Sequence, residues 1–160
     1  DGLLGRPTLS VEAEGAADMD LFVALQKLDE AGQPVGMTFY AFYENGPVAL
    51  GWLRASHRAL DPVKSRPDRP WHTHEAEELL EPGECVPVEV ELWPSSTLFR
   101  AGETLRLVVA GHDIYPREPG LMLPFAEHHE TRNQGTHVLR MGGQYDSELR
   151  VPVVPAAHSL

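Results

Sequence analysis

Two histidines separated by one residue are the first candidates for chemistry in this chain. His72 and His74 flank Thr73, and Glu78 lies four residues beyond His74. On a β-strand, residues two apart face the same side, so both imidazoles could bind one metal ion. Glu78 could add a carboxylate ligand. The pattern H-x-H-x-x-x-E therefore raises the hypothesis of a metal-dependent enzyme.

That pattern resembles the first half of the cupin metal motif, which also has a preceding glycine and a second half with a third histidine. Arg66 stands where the glycine is required, and no second half can be placed in the sequence. We therefore favour histidines that hydrogen-bond the loop backbone, and no cofactor is expected. A cupin-like enzyme using His72, His74 and Glu78 stays open as an alternative.

Serine nucleophiles have no recognisable motif in this chain. A serine hydrolase of the α/β type carries its serine on a tight strand-to-helix turn, usually within G-x-S-x-G, and the sequence has no such motif. Ser56 and His57 are adjacent on a predicted strand and would point to opposite faces. His112-Asp113 is interpreted as a strand-end cap, and His128-His129 as part of a solvated acidic loop.

Three other groups of residues have simple structural interpretations. Asp18 and Asp20 could help to bind calcium, but hydrogen bonds from turn amides or an arginine are preferred. Cys85 is predicted to be a small core or half-buried residue. The aromatic run at 39–43, FYAFY, could stack on a sugar, which leaves a carbohydrate-binding module as a further alternative. A strand buried on both faces explains the run more simply.

Short alternating runs separated by proline and glycine must position these residues. Proline and glycine occur 14 times each, and period-two alternation between turn signals indicates an all-β sandwich or jelly roll. Strands are predicted at 7–14, 19–29, 36–44, 48–57, 85–93, 104–112, 136–141 and 147–154. The segment 74–81 is either a short helix or an irregular loop. Residues 113–135 form a second long irregular stretch.

Composition limits the classes of partner. The chain has 160 residues and a formal net charge of −11, which argues against nucleic acid and anionic membranes as partners. It contains no apolar run near twenty residues, and its first residues lack the layout of a signal peptide. Its one cysteine fits a reducing cytoplasm. We therefore expect a cytoplasmic protein that binds neither nucleic acid nor membrane.

Three motifs are specific when they are taken together. They are GWLRASHR followed by HTH within 51–74, LWPSSTLFRAG within 80–113, and GGQYDSEL within 137–155. With the segment 17–32 they run in order over nearly the whole chain. In this the chain resembles the C-terminal domain of the X-Pro dipeptidyl-peptidase, cocaine esterase and α-amino-acid ester hydrolase family.

The resemblance implies a jelly-roll β-sandwich, similar to galactose-binding-like domains, with two long ordered loops. In the family this sandwich packs on an α/β-hydrolase domain that carries the Ser-Asp-His triad, and no triad residue maps onto this sequence. We therefore expect residues 1–160 to be one domain of a larger serine hydrolase, a fragment without the catalytic domain. If first strands of the sandwich are missing too, an unpaired edge would favour a homo-oligomer.

The implied role is a non-catalytic accessory domain of a hydrolase that acts on X-Pro peptide or ester bonds. The domain would support the catalytic α/β-hydrolase domain of the parent chain and shape substrate access. Five residues of the 51–74 segment are expected to form a hydrogen-bonded loop core or a docking face: Arg54, His57, Arg58, His72 and His74. Because a buried cation must be paired, four carboxylates are candidate partners: Asp18, Asp20, Asp61 and Asp146.

Overall fold

The protein is built almost entirely from antiparallel β-strands. A computed structural model describes residues 2–5, 8–14, 17–39, 43–114 and 131–154. Its strands are β1 Gly2–Gly5, β2 Thr8–Glu14, β3 Asp20–Leu28, β4 Pro34–Val35, β5 Met37–Phe39, β6 Tyr43–Gly46, β7 Ala49–Arg54, β8 Cys85–Glu91, β9 Ser95–Leu98, β10 Thr104–Ala110, β11 Val138–Arg140, β12 Glu148–Arg150 and β13 Val153–Val154. A 3₁₀ turn, Ala55–His57, follows β7. In the described ranges, no helix is long and apolar enough to cross a membrane.

Two four-stranded sheets form the body of the fold. In the first, β3 pairs with β10 along one edge and with β7 and β4 along the other. In the second, β2 pairs with β8 along one edge and with β11 and β12 along the other. A three-stranded sheet, β13–β1–β9, and the two-stranded β5–β6 sheet complete the pairing.

The core lies between the inner faces of β3 and β8. Leu21, Val23 and Leu25 alternate along β3 and are at most 5% exposed. Val86, Val88 and Val90 of β8 belong to the same buried cluster, while Pro87 between them is exposed. Burial of such side chains stabilises each sheet against the other. The predicted β-sandwich is confirmed, and the jelly-roll order of connections stays a prediction.

Gly51 lets β7 approach the end of β8. A Cβ atom built on Gly51 would overlap the carbonyl oxygen of Glu91 and lie 3.1 Å from its carbonyl carbon. Two residues after Glu91, the amide of Trp93 donates a 2.7 Å hydrogen bond to the carbonyl of Leu50. Only glycine fits so close a backbone contact. This contact explains why the GWLRASHR motif begins with glycine.

Several predicted strands differ from the observed ones. The single strand predicted at 36–44 is wrong, since β5 and β6 are two strands that pair with each other. The strand predicted at 147–154 is also wrong, because β12 joins β2 and β13 joins β1. The strand predicted at 48–57 ends at Arg54, so Ser56 and His57 lie on the 3₁₀ turn and not on a strand. The strands β1, β4 and β9 were not predicted.

The segment 74–81 is an irregular loop and not a helix. Its amides bond to distant backbone instead of to one another: Glu78 donates to the Ser56 carbonyl at 2.8 Å, and Leu80 to the Ala17 carbonyl at 2.7 Å. Leu80 is 3% exposed but the neighbouring Leu79 is 55% exposed. A segment that buries one apolar side chain has no apolar face to hold a helix against the core.

Candidate functional site

Asp18 is the centre of a buried hydrogen-bond network. Its side chain accepts the amide of Met19 at 2.9 Å, the amide of Ser56 at 2.9 Å and the hydroxyl of Ser56 at 2.8 Å. Arg132 approaches the same carboxylate at 3.2 Å. Asp18 is 5% exposed and Ser56 is completely buried. The carboxylate therefore satisfies buried donors just before β3 and on the 3₁₀ turn.

Asp20 binds Arg54 on the neighbouring strand. Nε and Nη2 of Arg54 donate to the two carboxylate oxygens at 2.7 and 3.1 Å, and the amide of Arg132 donates at 2.6 Å. Burial raises the pKa of Asp20, but the hydrogen bonds from Arg54 and Arg132 outweigh it and leave the pKa below its ordinary value. The same pair raises the pKa of Arg54. Asp20 is therefore a charged structural partner.

Arg132 and Asn133 attach a distant segment to this network. Nη1 and Nη2 of Arg132 donate to the carboxylate of Glu77 at 3.0 and 2.8 Å, and these hydrogen bonds lower the pKa of Glu77 and raise that of Arg132. Asn133 accepts the Asp20 amide at 2.8 Å and donates to the Asp20 carbonyl at 3.0 Å. We call this set the aspartate network: Asp18, Asp20, Arg54, Ser56, Glu77, Arg132 and Asn133.

The three histidines of the 51–74 segment lie together beside the network. The ring centroid of His74 is 5.3 Å from that of His57 and 5.8 Å from that of His72. His74 has a φ of 52°, a left-handed backbone that few residues other than glycine adopt. Burial is the largest cause that lowers the pKa of His72, and the adjacent His74 adds to it, although His72 also hydrogen-bonds the backbone of Glu89. His72 is therefore favoured in its neutral form.

Arg58 and Glu78 bind each other. Nη1 of Arg58 donates to the Glu78 carbonyl at 2.5 Å and to the Ala55 carbonyl at 3.2 Å. Its Nη2 lies 3.4 Å from the Glu78 carboxylate. The carboxylate that the cupin-like alternative needs as a ligand is thus paired with an arginine. Within the described ranges, no group of three or more His, Cys, Asp or Glu side chains is arranged to hold a metal ion.

The comparisons with known proteins agree with the resemblance found in the sequence. The family model described as the X-Pro dipeptidyl-peptidase C-terminal non-catalytic domain matches residues 4–150. The chain belongs to this family. Comparison with curated proteins found no match.

Two solved structures of a CocE/NonD family hydrolase from Staphylococcus aureus share the fold of this chain. Both are 47% identical to it, with TM-scores of 0.90 and 0.91. Each match covers 96% of this chain and 28% of the neighbour's chain. The domain therefore spans less than a third of the hydrolase chains that it matches.

At the described positions considered for catalysis, the side chains make structural contacts. The Ser56 hydroxyl donates to Asp18. Its neighbour His57 lies near Glu77, with Nε2 of His57 3.8 Å from Oε1 of Glu77. His112 contacts the backbone carbonyl of Asp113 at 2.9 Å. Cys85 is half-buried, as predicted. His128-His129 and part of the aromatic run at 39–43 lie outside the described residues.

The five residues proposed for the loop core divide into three groups. Arg54 pairs with Asp20, Arg58 pairs with Glu78, and the histidines His57, His72 and His74 form one cluster. Of the other candidate partners, Asp61 accepts the amides of Val63 and Lys64 in its own turn. Arg132, Asn133 and Glu77 were missed by the sequence reasoning. Their only signal was the polar composition of TRNQG and HEAEE, which does not specify a partner more than fifty residues away.

Proposed function

We propose that this domain is the non-catalytic support of a larger serine hydrolase, in one polypeptide with an α/β-hydrolase domain that cleaves X-Pro peptide or ester bonds. It would hold the catalytic domain in place and shape substrate access. The bond between Ser56 and Asp18 carries this proposal. The serine that stands beside a histidine is fully buried and donates to a carboxylate, so it stabilises the turn and is not available to attack a substrate.

The aspartate network supports a scaffold role. It joins the start of β3, the end of β7, the 74–81 loop and the segment after residue 130 through charged hydrogen bonds. Such bonds are short and directional, and they fix surface loops that would otherwise be mobile. A fixed surface is what a neighbouring catalytic domain needs for a constant position. The single cysteine favours the cytoplasm as the location.

The experiment compares the 160-residue chain with the full hydrolase chain that contains it. We expect no turnover of ester or X-Pro amide substrates by the 160-residue chain, and turnover by the full chain. In the full chain, Asp18→Ala should shorten the half-life of activity on heating while the initial kcat/KM changes little. Asp61→Ala is the control, because Asp61 accepts similar amide hydrogen bonds at an exposed turn.

Turnover by the 160-residue chain that persists through orthogonal purification steps would contradict the proposal. So would an Asp18→Ala full chain that keeps the thermal half-life of the wild type. A loss of initial kcat/KM in a fully folded variant would instead indicate that Asp18 contributes to the chemistry.

A further inference from the structure

Three imidazole rings meet where the 74–81 loop begins. The ring of His74 lies close to those of His57 and His72, with centroids 5.3 and 5.8 Å away. His74 is exposed, whereas His57 and His72 are half-buried. His57 belongs to the 3₁₀ turn, and His72 forms an isolated antiparallel bridge with Leu60. The three residues His57, His72 and His74, which we call the histidine cluster, therefore join segments that are distant in sequence.

The ring of His72 is placed to carry one proton and not two. It donates a hydrogen bond to the backbone of Glu89, and its Nε2 is buried without a hydrogen-bond partner in the described ranges. The donor to Glu89 is therefore Nδ1, and a second proton would have to bind Nε2. A buried N–H group without an acceptor costs the free energy of its lost hydration, and a positive charge raises that cost. Nδ1 of His57 is also buried without a described partner.

The surroundings of His72 oppose its protonation on balance. Burial lowers the pKa of His72 most, and the rings of His74 and His57 lower it further. The carboxylate of Glu91 on β8 acts in the opposite direction, but the pKa stays below its ordinary value. The other charged groups around the cluster are held in pairs: Glu77 with Arg132, Glu78 with Arg58, and Asp20 with Arg54. Oε1 of Glu77 also lies 3.8 Å from Nε2 of His57, so a proton held at His57 repels a further proton at His72.

The segment 72–81 can open without unfolding of the sheets. Its backbone is tied to the rest of the domain by amides that donate to distant carbonyls: Thr73 to Ala59 at 3.0 Å, Glu78 to Ser56 at 2.8 Å, and Leu80 to Ala17 at 2.7 Å. Leu80 is buried, but most of the segment is exposed. The left-handed backbone of His74, at a φ of 52°, adds strain that opening relieves. A segment with few buried contacts is the kind that opens locally in a folded protein.

We propose that the histidine cluster is an acid-sensitive switch, in which protonation of His72 releases the 72–81 segment from the sandwich while the β-sheets stay folded. In the open form both ring nitrogens of His72 are hydrated, so the open form binds the second proton more tightly than the closed form. The closed form is therefore favoured above about pH 6.5, and opening increases as the pH falls below that value.

Opening of the segment also weakens the aspartate network. It separates Glu77 from Arg132 and withdraws the Glu78 amide from the carbonyl of Ser56. The turn that Asp18 holds then loses its cover on the side of the loop. The switch goes beyond the proposed function and does not depend on it, because it concerns the conformation of this domain in any parent chain.

The test is hydrogen exchange of the full-length chain that contains residues 1–160, followed by mass spectrometry of its peptides. The opening equilibrium of 72–81 is obtained from exchange rates that are corrected for the intrinsic effect of pH. We expect it to rise roughly tenfold between pH 7.5 and 5.5, the limit for one proton taken up below pH 6.5. Peptides from β3 and β8 should stay far better protected at both pH values. An equal opening at the two pH values, or exchange of 72–81 only together with β3 and β8, would overturn the inference.

Variants assign the effect to the cluster. His72→Gln keeps a donor for the Glu89 backbone but does not titrate, so the rise in opening should disappear. His112→Gln is the matched control, because His112 is exposed and bonds only its neighbour Asp113 among the described contacts, and it should keep the full rise. His74→Gly is a second variant that the backbone tolerates, since glycine adopts a positive φ readily. It removes one ring that opposes protonation of His72 and should make the rise smaller. An undiminished rise in either cluster variant, or its loss in His112→Gln, would overturn the inference.

Discussion

Replacement of Asp18 gives the sharpest test of the aspartate network. In Asp18→Ala, the amides of Met19 and Ser56 and the hydroxyl of Ser56 lose their acceptor, and both residues are completely buried. A buried donor without a partner costs about 1–3 kcal/mol. The hydroxyl can rotate to another acceptor, but the two amides cannot. We therefore expect the free energy of unfolding to fall by about 4 kcal/mol, a large part of the 5–15 kcal/mol of an ordinary domain.

Asp18→Asn and Asp61→Ala divide this loss into its causes. The asparagine keeps one oxygen to accept the two amides and loses the acceptor for the Ser56 hydroxyl and Arg132, so we expect about 1–2 kcal/mol. Asp61 also accepts two amides, from Val63 and Lys64, but at an exposed turn where water can replace it. Asp61→Ala should therefore cost only a small fraction of Asp18→Ala.

Urea unfolding of the 160-residue chain, followed by tryptophan fluorescence and by circular dichroism, measures these differences. The two signals should give the same midpoint if unfolding is two-state. Equal losses in Asp18→Ala and Asp61→Ala would refute the reasoning, because burial of the donors would then contribute nothing. A loss in Asp18→Asn as large as that in Asp18→Ala would show that charge, and not the acceptor positions, holds the turn.

Three further predictions follow from individual contacts. Gly51→Ala should lower the midpoint of thermal unfolding far more than Gly143→Ala. A Cβ on Gly51 meets backbone, while one on Gly143, at a φ of 62°, meets nothing within 4 Å. Similar midpoints in the two variants would contradict the close approach of β7 to the end of β8. The lowered pKa of His72 means that the unfolded chain binds its proton first, so stability is present above about pH 6.5 and is lost as the pH falls through that value. In His72→Gln, the free energy of unfolding measured in urea should depend less on pH between 7 and 5. The same pH dependence in the variant and the wild type would contradict this prediction. The lowered pKa of Asp20 gives stability that is present above about pH 4 and is lost on further acidification. Asp20→Asn should therefore unfold with a weaker dependence on acid. Acid unfolding curves of the variant and the wild type with the same dependence on pH would contradict this prediction.

The sheet of the sandwich could be predicted where one face is buried and the other is not. In β8, the valines alternate with residues that are more exposed, and this pattern specifies the strand directly. In β3 both faces are buried, and the strand was predicted from an apolar run that places Leu21, Val23 and Leu25 on one face and Phe22 and Ala24 on the other. The single strand predicted at 36–44 was wrong because an aromatic run without clear alternation gives no signal for a turn inside it. The structure has two strands there, β5 and β6.

The candidate site could be predicted only in its local part. The requirement that a buried cation be paired was enough to offer Asp18 and Asp20 as candidate partners for Arg54, although Arg54 lies 34 residues from Asp20. The pairing of Arg132 with Asp18 and Glu77 spans 114 and 55 residues of sequence, and no local pattern specifies it. The geometry of His72 and His74 was predicted from a strand, but His74 has a left-handed backbone. The three-histidine cluster therefore depends on loop conformation that the sequence pattern does not contain.

One labelling experiment tests the non-catalytic role most directly. The full hydrolase chain is treated with a fluorophosphonate probe, which reacts with activated serines, and the labelled peptide is identified by mass spectrometry. We predict a single labelled serine outside residues 1–160, and no label on the buried Ser56. A label on Ser56, or on any serine within residues 1–160 that disappears when the protein is denatured first, would contradict the account.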